Sequence, residues 1–258
     1  MNVQGKWGVA VVMTISAPFV LAESEVPAVT PYRPSVSTPA ALSAPGWLEL
    51  EMGVQANRRD RHERRNSLPY TLKLAFSPDW GVRLGGEALV HLSDGAGATT
   101  WGGGDASVVL KRRLAIDDER AFGLELGANA ATAGSGLGSG HSSLMFNGIY
   151  SADFARGLHS DINLGATRRT GAGAGEGRIT TAGAASVSGT INSQWGWVAE
   201  VSGTHQKAAG TTAQGLAALS CGISPSTSFD FGLARSLRAG VPDLSVFAGM
   251  TVLLAKLF

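Results

Sequence analysis

Residues 194–205, QWGWVAEVSGTH, place Trp195, Trp197, Ala199, Val201 and Gly203 on one side of an extended chain, with Gly196, Val198, Glu200, Ser202 and Thr204 on the other. The same alternation recurs along the chain. Leu48, Leu50, Met52 and Val54 interleave with Glu49, Glu51 and Gln55, and Leu68, Tyr70, Leu72, Leu74 and Phe76 interleave with Thr71, Lys73 and Ser77. Val82, Leu84, Ala88, Val90 and Leu92 oppose Arg83, Glu87 and His91, while Phe122, Leu124, Leu126 and Ala128 oppose Glu125 and Asn129. Leu144, Phe146, Tyr150 and Phe154 then oppose Asn147, Ser151 and Asp153, and Leu158, Ile162, Leu164 and Ala166 oppose His159, Asp161, Asn163 and Thr167. A period of two predicts strands, because successive side chains of an extended chain point to opposite faces. PDWG at 78–81, DDER at 117–120, ARG at 155–157, NSQ at 192–194 and PSTS at 225–228 predict tight turns. Longer Gly-rich or charged pieces alternate with them: RRDRHERRN, DGAGATTWGGG, AGSGLGSGH, GAGAGEGR, KAAGT and RAGVPD. The pattern predicts about twelve strands of roughly 10–13 residues, with short turns at one end and long loops at the other.

What lies on each face decides between a soluble sheet and a membrane barrel. Only 16% of the 258 residues are charged, 35 are Gly, and the net charge of +1 gives no bias toward nucleic acid. From Gly46 onward no run of around twenty apolar residues offers a spanning helix. The expected fold is therefore all-β, a transmembrane antiparallel up-and-down barrel. Its apolar rows meet lipid and its polar rows face water. Closure follows because an open sheet edge in hydrocarbon would leave N–H and C=O groups unpaired at several kcal/mol each. Phe76, Trp80, Phe122, Phe154, Trp195, Trp197, Phe229 and Phe258 lie near short turns or the C-terminus and predict a girdle on the periplasmic side. The opposite girdle is thin, with Trp101 its clearest member. Val252, Leu254 and terminal Phe258 share a face, whereas Phe247, Leu253 and Leu257 on the other row are expected to pack against an arm or plug.

Three regions divide the chain. Residues 1–22 read as a cleaved signal peptide, with a charged start, a short apolar run and small residues before the cut. Residues 23–45 are rich in Pro, Ser and Ala without periodicity and read as a linker or arm, and 46–258 as the barrel. The single Cys221 excludes an internal disulfide framework.

Within residues 102–171, Gly104-Asp105 opens a strand leading to Lys111, a Gly-rich loop precedes His141, and Asp161-Ile-Asn163-Leu-Gly165 forms a strand. These features resemble the MetA-pathway phenol-degradation family of outer-membrane transporters. The resemblance covers about a quarter of the chain. It implies passage of small compounds, aromatic or hydrophobic ones included, across the bacterial outer membrane, and carries over no residue-level mechanism.

The expected lumen row contains Glu49, Glu51, Lys73, Arg83, Glu87, Lys111, Arg113, Glu125, Asp153, His159, Asp161, Glu200 and Asp230. Such charges screen solutes by polarity in an open bore, or pair across a plugged one; both readings stay open. Twelve strands about 4.8 Å apart and tilted about 40° give a backbone radius near 12 Å, too narrow for bulk flux once side chains are subtracted. Arg58, Arg59, Arg61, Arg64 and Arg65, expected in an extracellular loop, suit the phosphates of lipopolysaccharide, although a solvated loop with local ion pairs is the plainer expectation. Outer-membrane lipid and a small-molecule solute are thus the expected partners, and the oligomeric state is left open. No histidine cluster has metal spacing, and no cofactor is implied. His141 and Ser143 resemble the His-x-Ser pair of outer-membrane lipid hydrolases in miniature, but Ser143 falls on the lumen row, so covalent chemistry is not expected. Arg112 falls on the lipid row, where a mid-membrane Arg costs about 2–4 kcal/mol; a bulge or register shift turning it inward is the expectation.

Overall fold

A computed structural model describes residues 26–59, 63–94, 96, 98–171, 177–238 and 242–258; the signal-peptide segment and Arg61 lie outside them. The strands are β1 (Trp47–Arg59), β2 (Glu63–Ala75), β3 (Trp80–Ser93), β4 (Thr99–Gly102), β5 (Ala106–Ala115), β6 (Arg120–Ala130), β7 (Ser143–Phe154), β8 (Leu158–Arg169), β9 (Ile179–Thr190), β10 (Trp195–Gln206), β11 (Gly210–Ser224), β12 (Thr227–Arg238) and β13 (Leu244–Lys256). Apart from β4 and β5, each pairs antiparallel with its sequence neighbours, and β1 pairs with β13 to close the cylinder. Short β4 and long β5 both pair with β3, one beyond the other, so they make a single stave and the barrel has twelve. Residues 99–102, read from sequence as part of a Gly-rich loop, thus extend the wall. KAAGT is likewise shorter than expected: only 207–209 separate β10 from β11.

The two faces sort as the alternation predicts. Val201 is 58% exposed and Leu126 61%, while Glu200 and Glu125 beside them in sequence are 4% and 2% exposed. Phe76, Phe122, Phe154 and Phe229 are exposed near the short-turn end. Phe122 packs on Tyr150 with ring centroids 5.3 Å apart, and Trp195 meets Phe231 edge-on at 6.1 Å. Phe247 and Leu253 are buried on the inner face, whereas Leu257 is exposed.

A bulge in β3 departs from simple alternation, and Arg112 departs from expectation by keeping to it. Val90, expected toward lipid, is wholly buried, because Ser67 pairs with Val90 and Pro69 with Glu87, so β3 spends one more residue than β2 across this step. This bulge reverses the facing of Val90 and His91. Arg112 stays outward rather than turning in. It pairs with Trp80 in the last rung of β3 and β5, and its guanidinium stacks 5.2 Å from the Trp80 ring. At the periplasmic boundary that contact keeps the charge near water.

Candidate functional site

The inside of the barrel is occupied by its own N-terminal arm. Pro27, Pro31, Pro34, Pro39 and Pro45 remove donors and hold φ, so residues 26–45 cannot add a strand to the sheet. Their remaining N–H groups need acceptors, and the inward row supplies them. The arm enters from the short-turn end, where Val29 N donates to Pro225 O at 2.8 Å, turns near Ser35–Ser37, and returns to Gly46, whose N donates to Ala75 O at 2.8 Å.

On the ascending limb, Thr30 N donates to Glu49 Oε2 at 3.0 Å and Tyr32 N to Glu51 Oε1 at 2.6 Å. Lys73 Nζ lies 2.5 Å from a carboxylate oxygen of each of Glu49 and Glu51 and donates to Thr30 O at 2.5 Å. The Tyr32 ring has Lys73 Nζ and Lys111 Nζ each 4.1 Å from its centroid and Arg83 at 5.3 Å. Its hydroxyl donates to Ala41 O at 2.6 Å, tying the two limbs together. Arg33 makes a two-pronged pair with Asp230, both contacts 3.1 Å. A slot in the wall admits this guanidinium. Gly53 and Gly249 face each other in register, and a Cβ on Gly249 would lie 2.4 Å from Arg33 Nε.

On the descending limb, Ser37 N and Oγ both donate to Glu200 Oε2 at 2.8 Å, and Ser37 Oγ lies 2.9 Å from Ser186 Oγ. Thr38 N donates to Asn163 Oδ1 and Asn163 Nδ2 to Thr38 O, both at 3.0 Å. Lys111 Nζ donates to Pro39 O, and Ala40 N donates to Ser151 Oγ at 2.7 Å. Glu125 accepts Arg83 at 2.9 Å and Asn147 at 3.1 Å, with Lys111 3.5 Å away. Buried carboxylates are costly without such partners. The arm and the lumen lysines provide them together.

The other expected residues lie outside this centre. Asp153, His159 and Asp161 form a short-turn-end chain, with His159 Nδ1 2.7 Å from Asp153 and Nε2 3.0 Å from Asp161. Arg113 follows inward-facing Lys111 on the same row and has no ion pair among the described residues. Glu87 sits toward the long loops and receives two Arg65 bonds, at 2.7 and 2.6 Å. Arg65 therefore faces the bore rather than lipopolysaccharide. Arg58, Arg59 and Arg64 are also strand residues, because β1 and β2 run to within three residues of each other, and Arg58 pairs with Arg64 across the hairpin. Ser143 lines the bore, and no hydrogen bond joins it to His141 among the described residues.

Two smaller groups were not foreseen. Asp105 gathers the Gly-rich loop, accepting Ala133 N at 3.1 Å and Ser139 N and Oγ at 2.7 Å each. Desolvation alone would raise its pKa, but the Ser139 and Ala133 bonds outweigh it and hold the carboxyl below its ordinary value. On the bore side of β10–β13, Leu216, Ala218, Ala234 and Phe247 form an apolar strip with Val198. Alternation in those strands puts small or apolar residues on both faces, which hid the strip.

Free space remains around the arm. A cavity of about 350 Å³ on the long-loop side is lined by Thr71, Arg83, Ser107, Asn129, Ser143 and Thr167. Another of about 250 Å³ has Val36 of the arm in its wall with Asn147, Asn163, Ser202 and Gln214. A third, about 220 Å³, lies between Arg33–Val36 and the apolar strip at Leu216, Ala234 and Phe247.

No family model matches the sequence, and no curated protein matches it. Among solved structures the chain is similar to the KdgM porin, with a TM-score of 0.57 at 7% identity over 80% of this chain and 99% of that one. It is similar to the NanC porin, with a TM-score of 0.58 at 12% identity over 80% of this chain and 100% of the other. A KdgM porin in complex with disordered oligogalacturonate gives 0.55 at 8% identity, over 80% and 99% of the two chains. At these identities the likeness concerns the fold: this chain forms a closed antiparallel β-barrel of the bacterial outer-membrane type.

Proposed function

We propose that the protein is an outer-membrane channel or facilitator for small molecules, with its bore closed by residues 26–45 in the conformation described. The observation that carries this reading is the way the arm is held. It contributes no strand to the wall, and inside the bore its contacts run through the side chains that line it. Removing it would leave a closed barrel with Glu49, Glu51, Glu200 and Asp230 facing solvent. The porin fold of the neighbours supports passage, and the cavities on the long-loop side give a solute somewhere to lodge before the arm moves.

For the solute class, support comes from the sequence resemblance to the phenol-degradation family and from the strip of Val198, Leu216, Ala218, Ala234 and Phe247. Small compounds with an apolar or aromatic face suit that wall better than long acidic saccharides. Covalent chemistry has no support from the placement of His141 and Ser143. A permanently closed structural barrel is the competing reading, and the arm's dense hydrogen bonding is what favours it. Proteoliposome swelling separates the two. Deleting residues 26–45 should admit phenol-sized solutes that the intact protein admits slowly; equal impermeability of both proteins would leave only the structural reading.

A further inference from the structure

Beyond conduction, the outer wall carries a second candidate site. A trough of about 1100 Å³ crosses six strands of the lipid-facing surface, from β10 through β13 and β1 to β2, and reaches Leu89 and His91 of β3. Its floor consists of two hydrogen-bond rows. One runs Ala56, Val246, Leu233, Ala217, Ala199 and the other Val54, Ala248, Phe231, Leu219, Trp197. Ala56, Ala217 and Ala199 in the first row and Ala248 in the second leave the hollow. Behind it, Leu216, Ala218, Ala234 and Phe247 pack together on the bore side.

The next outward row toward the long loops changes character. There Arg64 pairs with Arg58, Arg58 with Leu244, and Leu244 with Arg235. Each Arg stands two residues beyond a trough residue on the same strand face, Asn66, Ala56 and Leu233 respectively, a step of about 7 Å. All three arginines are exposed, and none has an ion pair among the described residues. Three cations thus border an apolar hollow whose volume lies at or above the usual ~300–1,000 Å³ of ligand pockets.

We infer that this face binds one phosphorylated, multiply acylated glycolipid of the lipid A type from the outer leaflet. Acyl chains lie in the trough and Arg58, Arg64 and Arg235 grip the phosphates. Guanidinium forks match phosphate oxygens in two-pronged geometry. Position on the long-loop side selects the outer leaflet, and the depth of apolar floor selects acyl chains over a free phosphate. The inference rests on the lipid-facing placement of the wall and not on an open bore.

Native mass spectrometry of the full mature protein tests it, after delipidation and re-addition of purified lipid A. Retention of one lipid A per chain is expected, with at least tenfold weaker retention for dephosphorylated lipid A and for phosphatidylglycerol. The combined Arg58→Ala, Arg64→Ala and Arg235→Ala variant should lose retention to a similar degree. Ala217→Trp, which fills the trough without touching the arginines, should lose it too. Heat-modifiable electrophoretic migration confirms that each variant is folded, and unchanged solute flux separates this result from failure of the channel reading. Equal retention of dephosphorylated lipid A, unaltered retention by the triple variant, or a second copy of the chain displacing lipid from this face would each overturn the inference.

Discussion

Arg33 and the wall opposite it show how one residue can hold the arm. The guanidinium is bonded twice to Asp230 and sits in the gap left by Gly53 and Gly249. Gly249→Val adds a side chain that a strand accommodates well, but its Cβ position is 2.4 Å from Arg33 Nε. This substitution should push the Arg33 guanidinium off Asp230, and so loosen the ascending limb, while leaving the barrel closed. Hydrogen exchange at Thr30 and Tyr32 N–H should then accelerate at least tenfold, with the β-strand amides unaffected; unchanged exchange would mean the slot is not needed. Lys73 makes a complementary case. It is 2% exposed and is the cation shared by Glu49 and Glu51, so Lys73→Met leaves two buried carboxylates without it. A loss of about 3–5 kcal/mol of unfolding free energy is expected in denaturant titration of the refolded barrel.

At the scale of elements, the strands were legible because the lipid-facing row must be apolar on every stave, which imposes the period of two directly on the sequence. Glu125 beside Leu126 and Glu200 beside Val201 could be assigned to opposite faces on that basis alone. The arm's place in the bore was not legible. Its partners lie as far away as Asp230, 197 residues from Arg33, and the inward glycine pair gains meaning only once β1 and β13 are in register. Bulges were hidden for the same reason: Val90 looks like a lipid residue until Pro69 breaks the pairing step. The Gly-rich loop shows a motif whose physical role emerged only in three dimensions, since Asp105 organises Ala133 and Ser139 around it. Because the Asp105 pKa is depressed, its contribution is present above the ordinary Asp value of about 3.9 and lost as pH falls through the lower folded value. Hydrogen exchange in residues 131–142 should therefore be flat from neutral pH to about 4 after correction for the intrinsic rate, and rise below it. Asp105→Ala should show the raised exchange at all pH values; a loop equally protected in that variant would contradict the anchoring role.

For the whole molecule, barrel and arm are two layers with different loyalties. The barrel satisfies its backbone within the sheet, whereas the arm inside the bore satisfies its own mainly through the barrel's side chains. The barrel should consequently fold without the arm, and the arm should not fold without the barrel. Refolding of the variant lacking residues 26–45 into detergent should give the same strand content by circular dichroism and the same heat-modifiable migration as the intact protein, with a lower thermal midpoint because the lumen carboxylates lose their donors.

The most direct test of an arm-closed channel is single-channel recording in a planar bilayer, comparing the intact protein with the variant lacking residues 26–45. Low or rare conductance in the intact protein and stable, long-lived current steps in the variant are the predicted result. No current from either protein, with both inserted and folded, would contradict the account.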